Sequence, residues 1–185
     1  MAEPLNTIPD WVPNVDNPTI LFITENYPGN PDVLERNTFF YRSLNPNFQI
    51  LQGSNNLLNN LCRSLNLNGE TETEKLNNFL FERNYFLIDS FPSGENMSNQ
   101  LINLTINNIE WIDTILDDLI FINPHQIVLT CVGSNGQLLP RLRLRANQRG
   151  LQILDRLIQN PLRNNETLFF SPSNRAYSTF NMQID

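Results

Sequence analysis

Four short apolar runs, rich in β-branched and aromatic residues, alternate along the chain with longer stretches whose apolar positions have helical spacing. Runs of this kind, bounded by turn residues, are typical of strands buried on both faces of a sheet. The four predicted strands are Thr19–Thr24, Asn84–Ser90, Gln126–Val132 and Thr167–Phe170. The helices predicted between them are Val33–Leu44, Ser54–Leu65, about Glu70–Phe81, Ser98–Phe121 and Pro140–Gln159.

The alternation of strands and helices predicts parallel pairing with right-handed crossovers, and therefore a three-layer α/β/α sandwich around a central four-stranded parallel sheet. At 185 residues, one such domain is expected, over residues 19–185. Residues 1–18 contain four prolines, which predict an extended arm that lies on the surface or is disordered. Trp11 is the residue expected to hold this arm against the body.

The ends of two predicted helices have recognisable signals. Ser54 is expected as the N-cap of the first leucine-rich helix, because its hydroxyl can accept a bond from a free backbone N–H. Three glutamates, Glu70, Glu72 and Glu74, are expected to favour the start of the next helix through its dipole. We interpret all four residues as structural.

Polar side chains or glycines follow every predicted strand. If the sheet is parallel, these loops meet along one edge, where ligands of open α/β sheets bind. The four loops contain Glu25 and Asn26, then Asp89 and Ser90, then Gly133–Gly136, and finally Ser171–Arg175. This convergence predicts a site at the carboxyl ends of the strands.

The chain is acidic, with a net charge of −7, which argues against broad binding to duplex DNA. The charge is uneven, however, since residues 125–185 hold seven arginines and three acids. Arg141, Arg145, Arg149 and Arg156 have near-helical spacing and are expected on one outward stripe of the Pro140–Gln159 helix, which Arg163 continues. Such a stripe is either a solvated face or a surface for phosphates.

Metal and cofactor signatures are lacking in the sequence. One histidine and two distant cysteines do not have the spacing of a zinc site, and Gly133–Gly136 falls short of a dinucleotide fingerprint. His125 precedes a strand and is expected at the amino end of the sheet, away from the site. We therefore expect no metal and no cofactor. Cys62 and Cys131 predict no disulfide framework. The apolar runs are too short to span a membrane and the N-terminus lacks a signal-peptide pattern, so we expect a cytoplasmic monomer without membrane contact.

Two motifs resemble those of the uracil-DNA glycosylase superfamily. The first is ILFITENYPG followed by Phe39-Phe40-Tyr41, which resembles the strand, acidic loop and downstream aromatic of that superfamily. The second is NETLFFSPSNR at Asn165–Arg175, which resembles its last strand and Pro-Ser loop. The similarity is greatest to the mismatch-specific thymine/uracil branch, where a residue other than histidine precedes Pro-Ser. The order of elements fits over most of residues 19–181.

This resemblance implies a DNA-base glycosylase that hydrolyses the N-glycosidic bond of a flipped uracil or other modified base, with single-stranded or mismatched DNA as its partner. Glu25, with Asn26, would take the position that orients and polarises water. Phe39 or Phe40 would stack on the base, and Asp89 or Ser90 would contact its edge. The loop that approaches the deoxyribose and helps to expel the nucleotide would consist of Ser171, Pro172, Ser173, Asn174 and Arg175.

Three departures from the family pattern leave an alternative open. Thr24 stands in place of a glycine, Asp89 in place of the asparagine that many members carry, and Ser171 in place of a histidine. An ionised aspartate only accepts hydrogen bonds, whereas asparagine both donates and accepts. The alternative is a non-catalytic nucleotide- or protein-binding member of the same fold with a degenerate site. An unrelated small-molecule hydrolase on a similar sheet is a further option.

Overall fold

The computed structural model describes residues 10–24, 40–47, 55–89, 108–129 and 132–158. These residues form a mixed α/β structure with a three-stranded parallel sheet and four α-helices. The strands are β1 (Ile20–Thr24), β2 (Tyr85–Asp89) and β3 (Gln126–Leu129). The helices are α1 (Asn56–Ser64), α2 (Glu72–Asn77), α3 (Ile109–Ile122) and α4 (Val132–Gln148). A π-helical turn (Asn78–Glu82) continues α2, and short 3-10 helices occupy Arg42–Leu44 and Ile153–Arg156.

The sheet has the order β2-β1-β3, and both pairings are parallel, as the alternation of elements predicted. All five residues of the central strand β1 are buried. Both faces of β1 are therefore covered by other parts of the protein, which is the usual reason why a parallel strand is apolar throughout. The π-helical turn packs against β2, whereas α4 packs against β3 and α3.

The start of α1 differs from the prediction by one residue. Asn55, not Ser54, is the N-cap, and its side-chain oxygen accepts a bond of 3.2 Å from the N–H of Leu58. The amide of Asn55 also donates to the backbone oxygen of Phe40 at 2.9 Å. Asparagine has both a donor and an acceptor, so this buried residue caps the helix and fixes the preceding segment at once.

The glutamates at the start of α2 do more than favour the dipole. Glu74 forms a capping box with Thr71, in which each side chain accepts a bond from the other residue's backbone. Glu72 receives two hydrogen bonds from the buried guanidinium of Arg42. A paired arginine and carboxylate of this kind ties the 3-10 helix to α2.

The prediction for the region after β3 was wrong at both ends. The described strand is Gln126–Leu129, Val132 begins α4 instead of ending the strand, and Gly133–Gly136 belong to the first turns of α4 rather than to a loop. Pro140, predicted to begin the helix, lies inside it. The helix ends at Gln148 because Gly150 adopts a positive φ of 67°.

The turn at Gly150 is a Schellman motif. The N–H of Leu151 bonds to the oxygen of Ala146 at 2.9 Å, and that of Gly150 bonds to the oxygen of Asn147 at 3.1 Å. Ile153 and Leu157, expected inside the same helix, are buried beyond this turn instead.

Two further segments bear on the predicted architecture. Leu157 forms a parallel bridge with Ile127 on β3, and the N–H of Ile158 bonds to the oxygen of Ile127 at 2.9 Å. The predicted fourth strand, Thr167–Phe170, lies outside the described residues, as do the predicted helix residues 33–39 and 98–107. In the arm, Trp11 packs against the core and Val12 and Val15 are buried in it.

Candidate functional site

The carboxyl ends of the three described strands lie at one edge of the sheet, as the sequence predicted. Thr24 at the end of β1 is the register partner of Asp89 at the end of β2. On the other side of β1, Ile23 pairs with Leu129, the last residue of β3. We refer to the edge formed by Thr24, Asp89 and Leu129 as the carboxyl edge.

The strand order makes this edge a candidate binding position. From β1 the chain runs to β2 on one side, and it then crosses to β3 on the other side. The order of strands thus reverses between β1 and β3, and ligands of open α/β sheets bind outside the strand ends at such a switch point. Helix α4 begins at Val132, shortly after β3, so its N-terminal end also belongs to this edge. A helix N-terminus carries a partial positive charge.

Thr24 is a residue of this edge that the sequence argument had treated only as a replacement for glycine. It is 1% exposed, although its side chain is polar. Thr24 is the last residue of β1, the only strand that pairs on both sides within the described sheet. It therefore lies at the centre of the carboxyl edge. The signal available in the sequence was the change from an apolar run to a hydroxyl residue directly before Glu25.

Most of the predicted site residues lie outside the described part of the chain. This holds for the following positions: Glu25, Asn26, Phe39, Ser90, Ser171, Pro172, Ser173, Asn174 and Arg175. Of the remaining two, Asp89 ends β2 at the carboxyl edge. The roles assigned to all of these residues stay predictions.

Phe40, predicted as a base-stacking residue, lies within the core and is 4% exposed. Its ring packs edge-on against Tyr41, with centroids 4.9 Å apart, and against Phe79, with centroids 5.5 Å apart. Phe79 in turn contacts Phe22 of β1 at 5.6 Å. In this arrangement Phe40 fills the space between the 3-10 helix and the π-helical turn, and it packs on protein aromatics.

The arginine stripe is not one continuous face, because α4 ends before Arg156. Arg145 donates two hydrogen bonds to the carboxylate of Asp113 on α3, from Nε to Oδ1 at 2.8 Å and from Nη2 to Oδ2 at 2.7 Å. Arg149 bonds to Asp113 at 3.1 Å and to Asp117 at 2.7 Å. We call these four residues the α3–α4 clasp. The side-chain hydrogen bond from Arg145 is the main cause that lowers the pKa of Asp113 below its ordinary value.

The clasp changes the electrostatic picture of the stripe. Two of its arginines are neutralised by acids of the neighbouring helix, and a third, Arg156, donates to the side-chain oxygen of Asn123 at 2.6 Å and to the oxygen of Pro124 at 2.8 Å. Arg163 lies outside the described residues. Contact between this stripe and nucleic acid stays a prediction, and three of its arginines, Arg145, Arg149 and Arg156, already bond within the protein.

Among the described residues, no three His, Cys, Asp or Glu side chains come together as a metal site would require. His125 is exposed at the amino end of β3, where its backbone N–H donates to the backbone oxygen of Pro18 at 2.9 Å. No helix in the described ranges has the length and apolar character needed to cross a membrane.

Comparisons of the chain with protein-family models, with curated proteins and with solved structures returned no match. The carboxyl edge and the two sequence motifs carry the functional inference.

Proposed function

We propose that this protein hydrolyses the N-glycosidic bond of a flipped uracil or other modified base in DNA, at a pocket on the carboxyl edge. The observation that carries the proposal is the register pairing of Thr24 with Asp89. Glu25 is bonded to Thr24, paired strands are about 4.8 Å apart, and consecutive Cα atoms are about 3.8 Å apart. The proposal therefore assigns Glu25 and Asp89 to the ends of neighbouring strands.

Two acidic residues at neighbouring strand ends suit this reaction. Cleavage of a glycosidic bond develops positive charge on the sugar, which a carboxylate stabilises. In the proposed arrangement Glu25, with Asn26, holds the attacking water against the sugar, and Asp89 with Ser90 accepts hydrogen bonds from the base edge. Phe39 supplies the stacking surface, since the ring of Phe40 is covered by Tyr41 and Phe79. A flipped base requires an aromatic wall of this kind.

The proposed domain is a three-layer α/β/α sandwich of the uracil-DNA glycosylase type. Its fourth strand would extend the sheet beyond β3, on the side where Ile158 already bonds to Ile127. The Pro-Ser loop, Ser171–Arg175, follows that strand in the sequence and would approach the deoxyribose from the same edge. The helix α4 would direct its positive end toward the phosphates.

A second function is favoured by two specific observations. The ring of Phe40 is buried and Arg145 and Arg149 pair with acids, so these residues do not supply the stacking surface and phosphate contacts that cleavage of a flipped base would use. This favours a member of the fold that binds a nucleotide or a protein without cleaving it. In this alternative the carboxyl edge still holds a ligand. The two functions therefore differ in whether the bound ligand is cleaved, and the described residues do not distinguish them.

The decisive experiment is incubation with single-stranded and mismatched double-stranded oligonucleotides that carry uracil, with abasic sites scored by alkaline strand cleavage. Glu25→Gln is expected to lower the cleavage rate by about a hundredfold or more, because it removes the charge without changing the volume. Glu82→Gln is the matched control. This exposed carboxylate precedes β2, at the opposite edge of the sheet, and its loss should leave the rate unchanged.

Binding measurements separate the two functions. Fluorescence anisotropy with a labelled oligonucleotide, together with the same cleavage assay, should show both binding and abasic product for a glycosylase. The non-catalytic function would be assigned by two results together. The unmodified protein would bind the oligonucleotide without forming abasic product, and Glu25→Gln and Asp89→Asn would weaken this binding. An absence of both binding and cleavage would overturn the nucleic-acid proposal altogether.

A further inference from the structure

A pocket of about 370 Å³ lies at the C-terminal end of α4. Its lining consists of Arg143, Ala146, Asn147, Leu151, Leu154 and Asp155. Arg143 is the lining residue nearest to the start of α4 at Val132, and at about 1.5 Å per residue the pocket begins roughly 16 Å along the helix from the carboxyl edge. It is therefore distinct from the site proposed above.

Three of the six lining residues, Ala146, Leu151 and Leu154, are apolar, and the Schellman motif helps to hold them in place. Ala146 is 1% exposed, and Leu151 bonds to its carbonyl oxygen. Leu151 and Leu154 are partly buried and pack against the core. The hydrogen-bonded turn and the core contacts fix these three residues before any ligand arrives, which lowers the entropic cost of binding.

Two opposite charges stand at the rim. Arg143 and Asp155 are both exposed and both line the pocket. In the described part of the chain no ion pair joins them to each other or to another residue, in contrast to Arg145 and Arg149 on the same helix. The C-terminal end of the α4 dipole adds partial negative charge to this side of the pocket, and Asn147 supplies an amide that can donate and accept.

We propose that this pocket binds a small zwitterion with an apolar body, of the chemical class of an aliphatic amino acid. The anionic group pairs with the guanidinium of Arg143. The cationic group pairs with Asp155 and the C-terminal end of α4, and the apolar body covers Ala146, Leu151 and Leu154. The volume is within the range of ligand pockets, roughly 300–1,000 Å³, and at its small end.

Three probes with the same isobutyl group test the charge requirement: L-leucine, which has both charges, isovalerate, which lacks the ammonium, and isopentylamine, which lacks the carboxylate. Titration of the ¹⁵N-labelled full chain, followed by NMR, should show saturable shifts of the Asn147 and Leu151 amides with leucine. Each single-charge probe should bind about fivefold more weakly, since an exposed charge contact is worth up to about 1 kcal/mol.

Variants test the residues. Arg143→Gln and Asp155→Asn should each weaken leucine binding by about fivefold, whereas the exposed controls Arg63→Gln and Asp10→Asn should leave it unchanged. Equal binding of the three probes would overturn the proposal, as it would reveal only an apolar depression. A lack of saturable shifts up to the solubility of leucine, or binding that both rim variants retain, would overturn it as well. None of these outcomes depends on glycosidic cleavage.

Discussion

The hydroxyl of Tyr41 bonds to both backbone groups of Leu87 on β2. It accepts from the N–H of Leu87 at 2.9 Å and donates to its carbonyl oxygen at 3.1 Å. Among the described strands β2 is at the margin of the sheet, where such backbone groups would otherwise face no strand. The ring of Tyr41 is stacked on Phe86, with centroids 5.7 Å apart, so one buried side chain both closes the strand edge and packs on the sheet.

Removal of this hydroxyl should be costly. Tyr41→Phe leaves a buried donor and a buried acceptor of Leu87 without a partner, and we expect a loss of about 2 kcal/mol in the free energy of unfolding. Tyr85→Phe is the matched control. Tyr85 is also buried, but its hydroxyl has no hydrogen bond within the described residues, so a change under about 0.5 kcal/mol is expected. Urea unfolding of the two variants measures the difference, and equal losses would contradict the edge-closing role.

Three asparagines lie within three residues of the start of a strand, at the amino end of the sheet. Asn17, Asn84 and Asn123 have positive φ values of 49°, 53° and 49°. The side chain of Asn123 donates to Oδ1 of Asn17 at 2.7 Å, and that of Asn84 donates to the backbone oxygen of Asn17 at 3.2 Å. Asparagine tolerates the left-handed conformation better than other residues with a Cβ, and its amide joins neighbouring turns.

Substitutions at Asn123 separate the backbone contribution from the hydrogen bonds. Asn123→Ala and Asn123→Gly both lose the side-chain bonds to Asn17 and Arg156, but only alanine is strained at a φ of 49°. We therefore expect Asn123→Ala to be less stable than Asn123→Gly by about 1 kcal/mol in urea unfolding. Asn147 has the helical conformation of α4, so Asn147→Ala should not be less stable than Asn147→Gly. Equal stabilities of the alanine and glycine variants at position 123 would argue against left-handed strain.

The sequence was a good guide where local pattern and packing agree. Strands β1, β2 and β3 begin within one residue of their predicted starts. Short apolar runs of β-branched and aromatic residues are buried most readily as strands in the middle of a sheet. The carboxyl edge followed from their parallel pairing. The same reasoning could not decide the environment of Phe40, because an aromatic at the end of an amphipathic stretch suits both a core and a binding site.

The region after β3 shows where local propensity fails. Gly133–Gly136 has the composition of a loop, yet it is helical in α4, so tertiary context overrides its weak helix propensity. Gly150 could have been recognised in the sequence as the end of the helix. The helical spacing of Ile153 and Leu157 favoured a longer helix instead. The α3–α4 clasp was also readable, since Asp113 and Asp117 have the same four-residue spacing as Arg145 and Arg149. Matched spacing on two neighbouring helices indicates pairing between them rather than a free charged face.

Cys62 is expected to be unreactive in the folded protein. It is 4% exposed on α1, and burial raises its pKa to about 11, although the nearby charge of Lys75 acts in the opposite direction. At about pH 8 roughly a thousandth of such a thiol is ionised, and the thiolate is the nucleophile. Iodoacetamide should therefore label Cys62 slowly in buffer and rapidly in urea, as measured by mass spectrometry of its peptide. Equal rates in the two conditions would mean that α1 opens readily.

The α3–α4 clasp should make stability depend on pH in a defined direction. The pKa of Asp113 is lowered in the folded state, mainly by its hydrogen bond from Arg145. A carboxylate with a lowered folded pKa binds fewer protons than in the unfolded chain, so its contribution is fully present above the ordinary value of 3.8. The contribution is lost as the pH falls through the lowered pKa, because both states are then protonated.

Asp113→Asn keeps the size of the side chain and removes its charge, so Arg145 loses a two-point partner and Arg149 one of its two acids. We expect a loss of about 1–2 kcal/mol in the free energy of unfolding at pH 7, given that the pair is partly buried. The difference from the unmodified protein should shrink at a pH well below 3.8, where Asp113 becomes protonated in both states. Glu110→Gln on the same helix, whose side chain is exposed and outside the clasp, should change stability by a few tenths of a kcal/mol. Urea unfolding of the three proteins at both pH values measures these differences, and a loss for Asp113→Asn that is the same at both would contradict an electrostatic role for the clasp.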